Sequence, residues 1–186
     1  MTRVTIVLPY YNVGAYIRQC LDSLQMQTFL DFEVYCVNDG SLDESDEVVL
    51  EFVKHDSRFK RFVKLNGGLS DARNYGLQNV FSEYVMFLDS DDFFEPQLLE
   101  VLVDKMGTHQ CDLVVYNYRQ VYMAENRSES IREHFEPNIL YNPKIDKSLF
   151  AFMSNAAWNK IYRTELFKKY DLKYPVGYRY EDLGTT

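Results

Sequence analysis

Apolar positions along the chain fall into two alternating rhythms. Val4-Thr-Ile-Val-Leu8 is a short β-branched run that stops at Pro9, after which Ile17, Leu21 and Leu24 recur at helical spacing, so the pattern predicts a strand followed by a helix. The unit repeats. Phe32-Glu-Val-Tyr-Cys-Val37 reads as a second strand, ended by Asn38-Asp-Gly-Ser41, and Val48, Val49, Phe52 and Val53 form the stripe of the next helix. A short strand is expected around Phe62–Leu65, then Asn66-Gly-Gly68, with Ser70 as cap of a helix from Asp71 to about Asn79. Tyr84-Val-Met-Phe-Leu88 is a continuous apolar strand, and Leu98, Leu99, Leu102, Val103 and Met106 mark a helix after Pro96.

Apolar strands alternating with amphipathic helices imply an α/β fold, an open and mostly parallel sheet with helices on both faces. A further strand is expected over Asp112–Tyr118. The polar stretch from about Val121 to Asn142 has no clear period and is expected to be a flap or hairpin within the domain. Ser148–Met153, Trp158–Arg163 and a helix near Glu165–Tyr170 read as an appended layer, leaving 1–186 as one domain.

Composition narrows the partners. With 46% hydrophobic and 26% charged residues the 186-residue chain can bury a core, and 28 acids against 20 Lys plus Arg give a net charge of −8, which argues against nucleic acid. The charge is unevenly placed: Asp31–Asp56 holds nine acids and one base, Trp158–Arg179 six bases and two acids. Both runs read either as solvated helix faces or, at the basic end, as attraction to a substrate or membrane surface. Cys20, Cys36 and Cys111 sit in apolar segments without CxxC spacing, which fits free thiols in a reducing compartment. With no apolar run long enough to span a bilayer and no signal-peptide core, the expected location is cytoplasmic, at the inner face of the membrane if peripheral.

In an open parallel sheet, ligands bind at the carboxyl ends of the strands. The four post-strand segments are Pro9-Tyr-Tyr-Asn12, Asn38-Asp-Gly-Ser41, Asn66-Gly-Gly68 and Asp89-Ser-Asp-Asp92, all polar. The last gathers three carboxylates in four residues after a buried strand, where like-charge repulsion calls for a cation. Oxygen-only ligands suit Mg²⁺ or Mn²⁺, while an acidic helix-capping turn is the plainer reading. Asp39 reads as a turn residue or as an acceptor for a base or sugar edge. Gly67-Gly68 with Ser70 and Arg73 reads as a helix start or as an anion site. The sequence contains no GxGxxG, P-loop or GxSxG.

Taken together, Val7-Leu-Pro-Tyr-Tyr-Asn12, Val37-Asn-Asp-Gly-Ser-Leu-Asp43, Asn66-Gly-Gly-Leu-Ser-Asp-Ala-Arg-Asn-Tyr-Gly76, Phe87-Leu-Asp-Ser-Asp-Asp92, Trp158-Asn-Lys160 and Tyr180-Glu-Asp182 resemble the ordered motifs of family-two inverting glycosyltransferases. The resemblance implies a GT-A fold, a nucleotide-diphosphate sugar donor, usually UDP-linked, and transfer with inversion to a glycan or lipid-linked acceptor, in surface polysaccharide synthesis. It implies that Pro9, Tyr11, Asp39 and Arg73 hold the nucleoside, with Asp39 facing the base. Asp91 and Asp92 would bind ribose or donor sugar and a divalent ion, Mn²⁺ or Mg²⁺, supported by Asp89 in a DxD pattern. Asp182 resembles the general base that takes the acceptor hydroxyl's proton. Trp158 could stack on a sugar ring or belong to the core; Lys160 could reach a phosphate or be solvated; Glu181 is a further candidate acceptor contact.

Such enzymes usually continue past the Glu-Asp motif, so the chain is expected to be truncated, with any acceptor or peripheral membrane contacts of the later region missing. A non-catalytic nucleotide-sugar-binding module is the alternative. A nucleotidyltransferase is a third reading, disfavoured because Pro9-Tyr-Tyr-Asn12 stands where a Gly-rich basic triphosphate loop would be.

Overall fold

The computed structural model describes residues 2–132, 135–136 and 138–178. Four strands, β1 (Val4–Tyr10), β2 (Phe32–Asn38), β3 (Phe59–Val63) and β4 (Tyr84–Phe87), are joined by helices α1 (Gly14–Gln25), α2 (Ser45–His55) and α3 (Leu69–Gln78), and α4 (Leu98–His109) follows. The chain continues through β5 (Leu113–Val115), a hairpin of β6 (Tyr118–Tyr122) and β7 (Arg127–Ile131), α5 (Leu149–Phe152), β8 (Lys160–Arg163) and α6 (Glu165–Tyr170). The main sheet has the order β3-β2-β1-β4-β8-β5. β1 pairs in parallel with β2 and β4, and β2 with β3, while β8 runs antiparallel between β4 and β5. The expected mixed α/β architecture is therefore present.

The central strands β1, β2 and β4 are buried on both faces because their side chains alternate between two apolar layers. Val4, Ile6 and Leu8 of β1 meet Ile17, Leu21 and Leu24 of α1 and the apolar stripe of α4, whereas Val7, Val37 and Phe87 face Ala72 of α3 and Phe167 of α6. Gln27 joins the first layer to the loop before α4: its Nε2 donates to Ser23 O and Glu95 O, and its Oε1 accepts from Leu99 N. That side chain supplies an acceptor to a helix start with no side-chain cap of its own.

Four elements differ from expectation. Helix α3 starts at Leu69 after Gly68, whose left-handed φ of 88° turns the chain into it, so Ser70 lies buried inside the helix and is not its cap. The Lys160–Arg163 segment is not an appended layer but a strand of the main sheet, because Ile161 and Tyr162 pair with both β4 and β5. The third strand begins at Phe59, whose buried ring packs 5.5 Å from that of Phe52, and ends at Val63. Leu65 lies beyond it, 91% exposed. The expected single strand over Asp112–Tyr118 divides, because β5 pairs with β8 in the sheet while Tyr118 begins a separate hairpin paired with Ile131. Among the described residues no helix is long and apolar enough to cross a membrane.

Candidate functional site

The strand order reverses at β1. The chain leaves β1 toward β2 and β3, then returns through α3 to β4 on β1's other side, so the crevice between the carboxyl ends of β1 and β4 is the switch point of the sheet. Tyr11 and Asn12 stand at one lip and Asp89–Asp92 at the other.

The first lip is stitched to the loop after β2. Asn12, at a left-handed φ of 52°, accepts at Oδ1 from Leu42 N at 2.8 Å and donates its N–H to Ser41 Oγ at 3.2 Å. Gly14 N–H donates to Asp43 Oδ2 and Val13 N–H to Ser45 Oγ. Pro9 is buried in β1 opposite Val37, while Tyr11, just past the strand end, is 47% exposed. Beneath them Asp46 accepts from Tyr10 Oη at 2.7 Å and from Arg61 Nε and Nη2 at 2.6 Å each. The Arg61 hydrogen bonds hold the Asp46 carboxyl down to about 2, against the desolvation that opposes them.

Asp39 is buried and internally occupied. Its Oδ1 accepts from Lys64 Nζ at 2.6 Å and Gly67 N at 3.0 Å, its Oδ2 from Gly68 N at 2.8 Å, and Asn66 Nδ2 donates to its carbonyl. Desolvation works against the Lys64 charge, but hydrogen bonds to Asp39 and Asp71 outweigh it and hold the ammonium above its usual range. Sequence reading missed Lys64. The available signal was a lysine one residue past the end of a parallel strand, where ligand sites collect.

At the other lip, Arg73 of α3 is 1% exposed and donates from Nη2 to Asp89 Oδ1 at 2.8 Å. Asp92 N–H closes a turn onto Asp89 O at 3.0 Å. Asp91 and Asp92 are exposed, yet the Asp92 carboxyl is raised to about 6, first by lost hydration and then by the charges of Asp91 and Asp89. Among the described residues, no group of three or more His, Cys, Asp or Glu side chains is arranged to hold a metal. The Asp89-Asp91-Asp92 trio therefore does not converge as a ready-made cage; Asp89 is held by Arg73, and Asp91 and Asp92 remain as a hard, oxygen-only donor pair whose mutual repulsion a divalent cation would relieve. Oxygen-only donors of this kind fit a hard divalent cation.

Asp91 and Asp92 also border a cavity of about 1160 Å³ that runs from Tyr16 on α1 to the β6–β7 hairpin. Trp158 lines it while its ring stands edge-on to Tyr118 at 4.6 Å, so it both packs and faces the space. Lys160 does not reach it. Its ammonium is fully buried and donates to Ser154 O, Ala156 O and Asn159 Oδ1 at 2.6, 2.6 and 2.9 Å. Glu181 and Asp182 lie outside the described residues.

The chain resembles known proteins along nearly its whole length. It is 38% identical to the glycosyltransferase GlyA of Streptococcus pneumoniae over 97% of this chain and 27% of that protein. It is 34% identical to EpsH of Bacillus subtilis over 93% of this chain and 50% of that protein. The crystal structure of Staphylococcus aureus TarS residues 1–349 superposes with a TM-score of 0.83 at 26% identity, over 98% of this chain and 53% of that one, and TarS has also been solved with UDP-GlcNAc. The chain thus spans between about a quarter and about half the length of these relatives. Residues 5–171 match the sequence model of glycosyl transferase family 2, and with that span and these relatives the chain belongs to that family.

Proposed function

We propose that residues 1–186 form the donor-binding catalytic domain of an inverting glycosyltransferase, with residues 121–142 as its variable flap. It moves a sugar from a UDP-linked donor to a hydroxyl of a glycan or lipid-linked acceptor in surface polysaccharide synthesis. The observation that carries this reading is the pair of open carboxylates, Asp91 and Asp92, presented at the β1–β4 switch point beside the buried Arg73–Asp89 pair. The UDP-GlcNAc complex of the relative TarS supports the choice of donor. The free thiols of Cys20, Cys36 and Cys111 support a reducing, cytoplasmic setting.

In this reading Tyr11 offers an exposed ring and Asp39 an acceptor to the nucleoside, and Pro9 shapes the strand end beneath them. Arg73 fixes Asp89 and with it the turn. Asp91 and Asp92 would hold Mn²⁺ or Mg²⁺, which when bound offsets charge on the leaving diphosphate. Asp182 takes the proton of the acceptor hydroxyl, which lets that oxygen attack the anomeric carbon from the side opposite the diphosphate. Trp158 and the hairpin border the space left for the acceptor, with Glu181 as a further contact.

Calorimetric titration with UDP, with and without Mn²⁺, tests the donor site. Binding that requires the ion and is lost in an Asp91→Ala plus Asp92→Ala variant is the expected result. A well-folded protein that binds no nucleotide in either condition would sink the reading.

A further inference from the structure

Asp39 has little acceptor capacity left. A carboxylate offers about two acceptor positions on each oxygen. Oδ1 already takes Lys64 Nζ and Gly67 N–H, whereas Oδ2 takes only Gly68 N–H, and 5% of the side-chain surface remains open. Lys64 is fixed where it stands. Its side chain is 10% exposed, and beyond Asp39 its ammonium donates to Asp71 Oδ2 and Leu65 O at 2.5 Å each, which uses all three protons. The β2–β3 register builds this arrangement: Asn38 pairs with Val63, so Asp39 and Lys64 follow side by side, and Lys64 N–H donates to Asn38 O. Gly67 makes room for it, since a Cβ there would lie 2.9 Å from Lys64 Nζ and 2.2 Å from Asp71 Oδ2.

We propose that Lys64 sets nucleobase choice through Asp39, by filling Oδ1 so that the carboxylate offers one acceptor, which suits the single imide N–H of uracil and denies the paired N–H donors of guanine. The assignment rests on the UDP-donor reading above and deepens it to how the chain tells uracil from guanine. Uracil presents N3–H between two carbonyl oxygens and needs one acceptor. Guanine presents N1–H and N2–H side by side and engages a carboxylate through both oxygens; with Oδ1 occupied, one donor is desolvated without a partner, which costs more than a bond never formed. Lys64 has no proton left for the base itself, so it is a positioning residue.

Titrations of UDP and GDP in the presence of Mn²⁺ test this on the wild-type chain, Lys64→Met and Asp71→Ala. The wild type is expected to prefer UDP. Lys64→Met, in which Gly67 N–H still reaches Oδ1, is expected to narrow the UDP:GDP preference by about tenfold, the value of one hydrogen bond at a base edge, chiefly by gaining GDP affinity. Asp71→Ala leaves Lys64 on Asp39 and is expected to keep the wild-type preference. A Lys64→Met protein that weakens both nucleotides alike, or keeps the preference unchanged, overturns the assignment, as does a wild type that prefers GDP. Should Lys64→Met fail to melt cooperatively, Lys64→Gln carries the same expectation and the same refutation. A wild type that binds neither nucleotide overturns the donor reading itself, and this assignment with it.

Discussion

The guanidinium of Arg73 and the carboxylate of Asp89 meet at 2.8 Å, the first 1% exposed and the second 26%. The pair joins α3 to the first residue of the turn that follows β4, so the helix and the carboxylate-bearing turn are held as one piece. The guanidinium also lies 5.2 Å from the ring of Tyr174. An arginine in this setting is structural before it is a ligand, and its loss should be felt in stability as well as in binding.

Removing one partner of a buried pair usually costs about 3–5 kcal/mol, and the partial exposure of Asp89 brings the expectation for Arg73→Met to about 2–3 kcal/mol. In a chain of this size that lowers the melting temperature by about 5–10 °C. Arg73→Lys is expected to recover little, because an ammonium cannot reproduce the guanidinium's planar contacts. Thermal melts of both variants decide it; an unchanged Arg73→Met melt would show that the pair contributes nothing.

Asp92 should behave in the opposite sense. Its carboxyl is raised to about 6, so the ionised form is disfavoured in the folded state, a cost absent below about pH 4 and fully present above about pH 6. Asp92→Asn removes that cost. Discounted for the residue's exposure, the gain is about 1 kcal/mol at pH 7, or a melting temperature higher by about 2–4 °C, with no gain at pH 4. The same variant is expected to lose the Mn²⁺ response of UDP binding. Equal stability of variant and wild type at pH 7 would show that lost hydration and the neighbouring carboxylates impose no cost on the ionised Asp92.

Asp46 gives a pH dependence of the usual carboxylate sign. Its folded value, held to about 2 chiefly by Arg61, lies below the unfolded one. The pair therefore contributes its full stabilisation above about pH 4 and loses it as the pH falls toward 2, an amount of about 2 kcal/mol. Urea unfolding at pH 5 and pH 3 should show wild type losing more stability between the two than Asp46→Asn does. Parallel losses would place the acid sensitivity elsewhere.

The central strands and the longer helices were legible because the strands leave short continuous apolar runs, buried on both faces, and the helices leave a period of 3.6, and the edge on which the post-strand segments gather follows from parallel pairing. What the pattern could not carry was partnership between distant positions. The insertion of antiparallel β8 between β4 and β5 depends on Ile161 and Tyr162 finding Met86 and Val85 across a long loop, which no local signal encodes. Lys160 looks like a solvated or phosphate-seeking lysine in sequence, yet the turn before it folds three oxygens onto its ammonium. Asp39 looks open, and only the β2–β3 register shows Lys64 lying against it.

Two helical glycines separate close packing from mere tolerance. A Cβ on Gly76 of α3 would lie 2.5 Å from Val7 Cγ1 and 3.2 Å from Val37 Cγ2, whereas on Gly107 of α4 it would meet nothing within 4 Å. Val7 and Val37 are fully buried and β-branched, so neither can turn away without displacing the sheet. Alanine gains about 1 kcal/mol in helix propensity at either site. At Gly76 that gain opposes overpacking of about 1–3 kcal/mol or more, and because the contact falls far inside van der Waals distance, Gly76→Ala is expected to destabilise by about 1–2 kcal/mol net. Gly107→Ala, unopposed on an exposed helix face, is expected to stabilise by about 0.5–1 kcal/mol. Urea midpoints at a common slope test both at once, and a Gly76→Ala protein as stable as Gly107→Ala would mean that α3 does not lie as close to β1 as the structure places it.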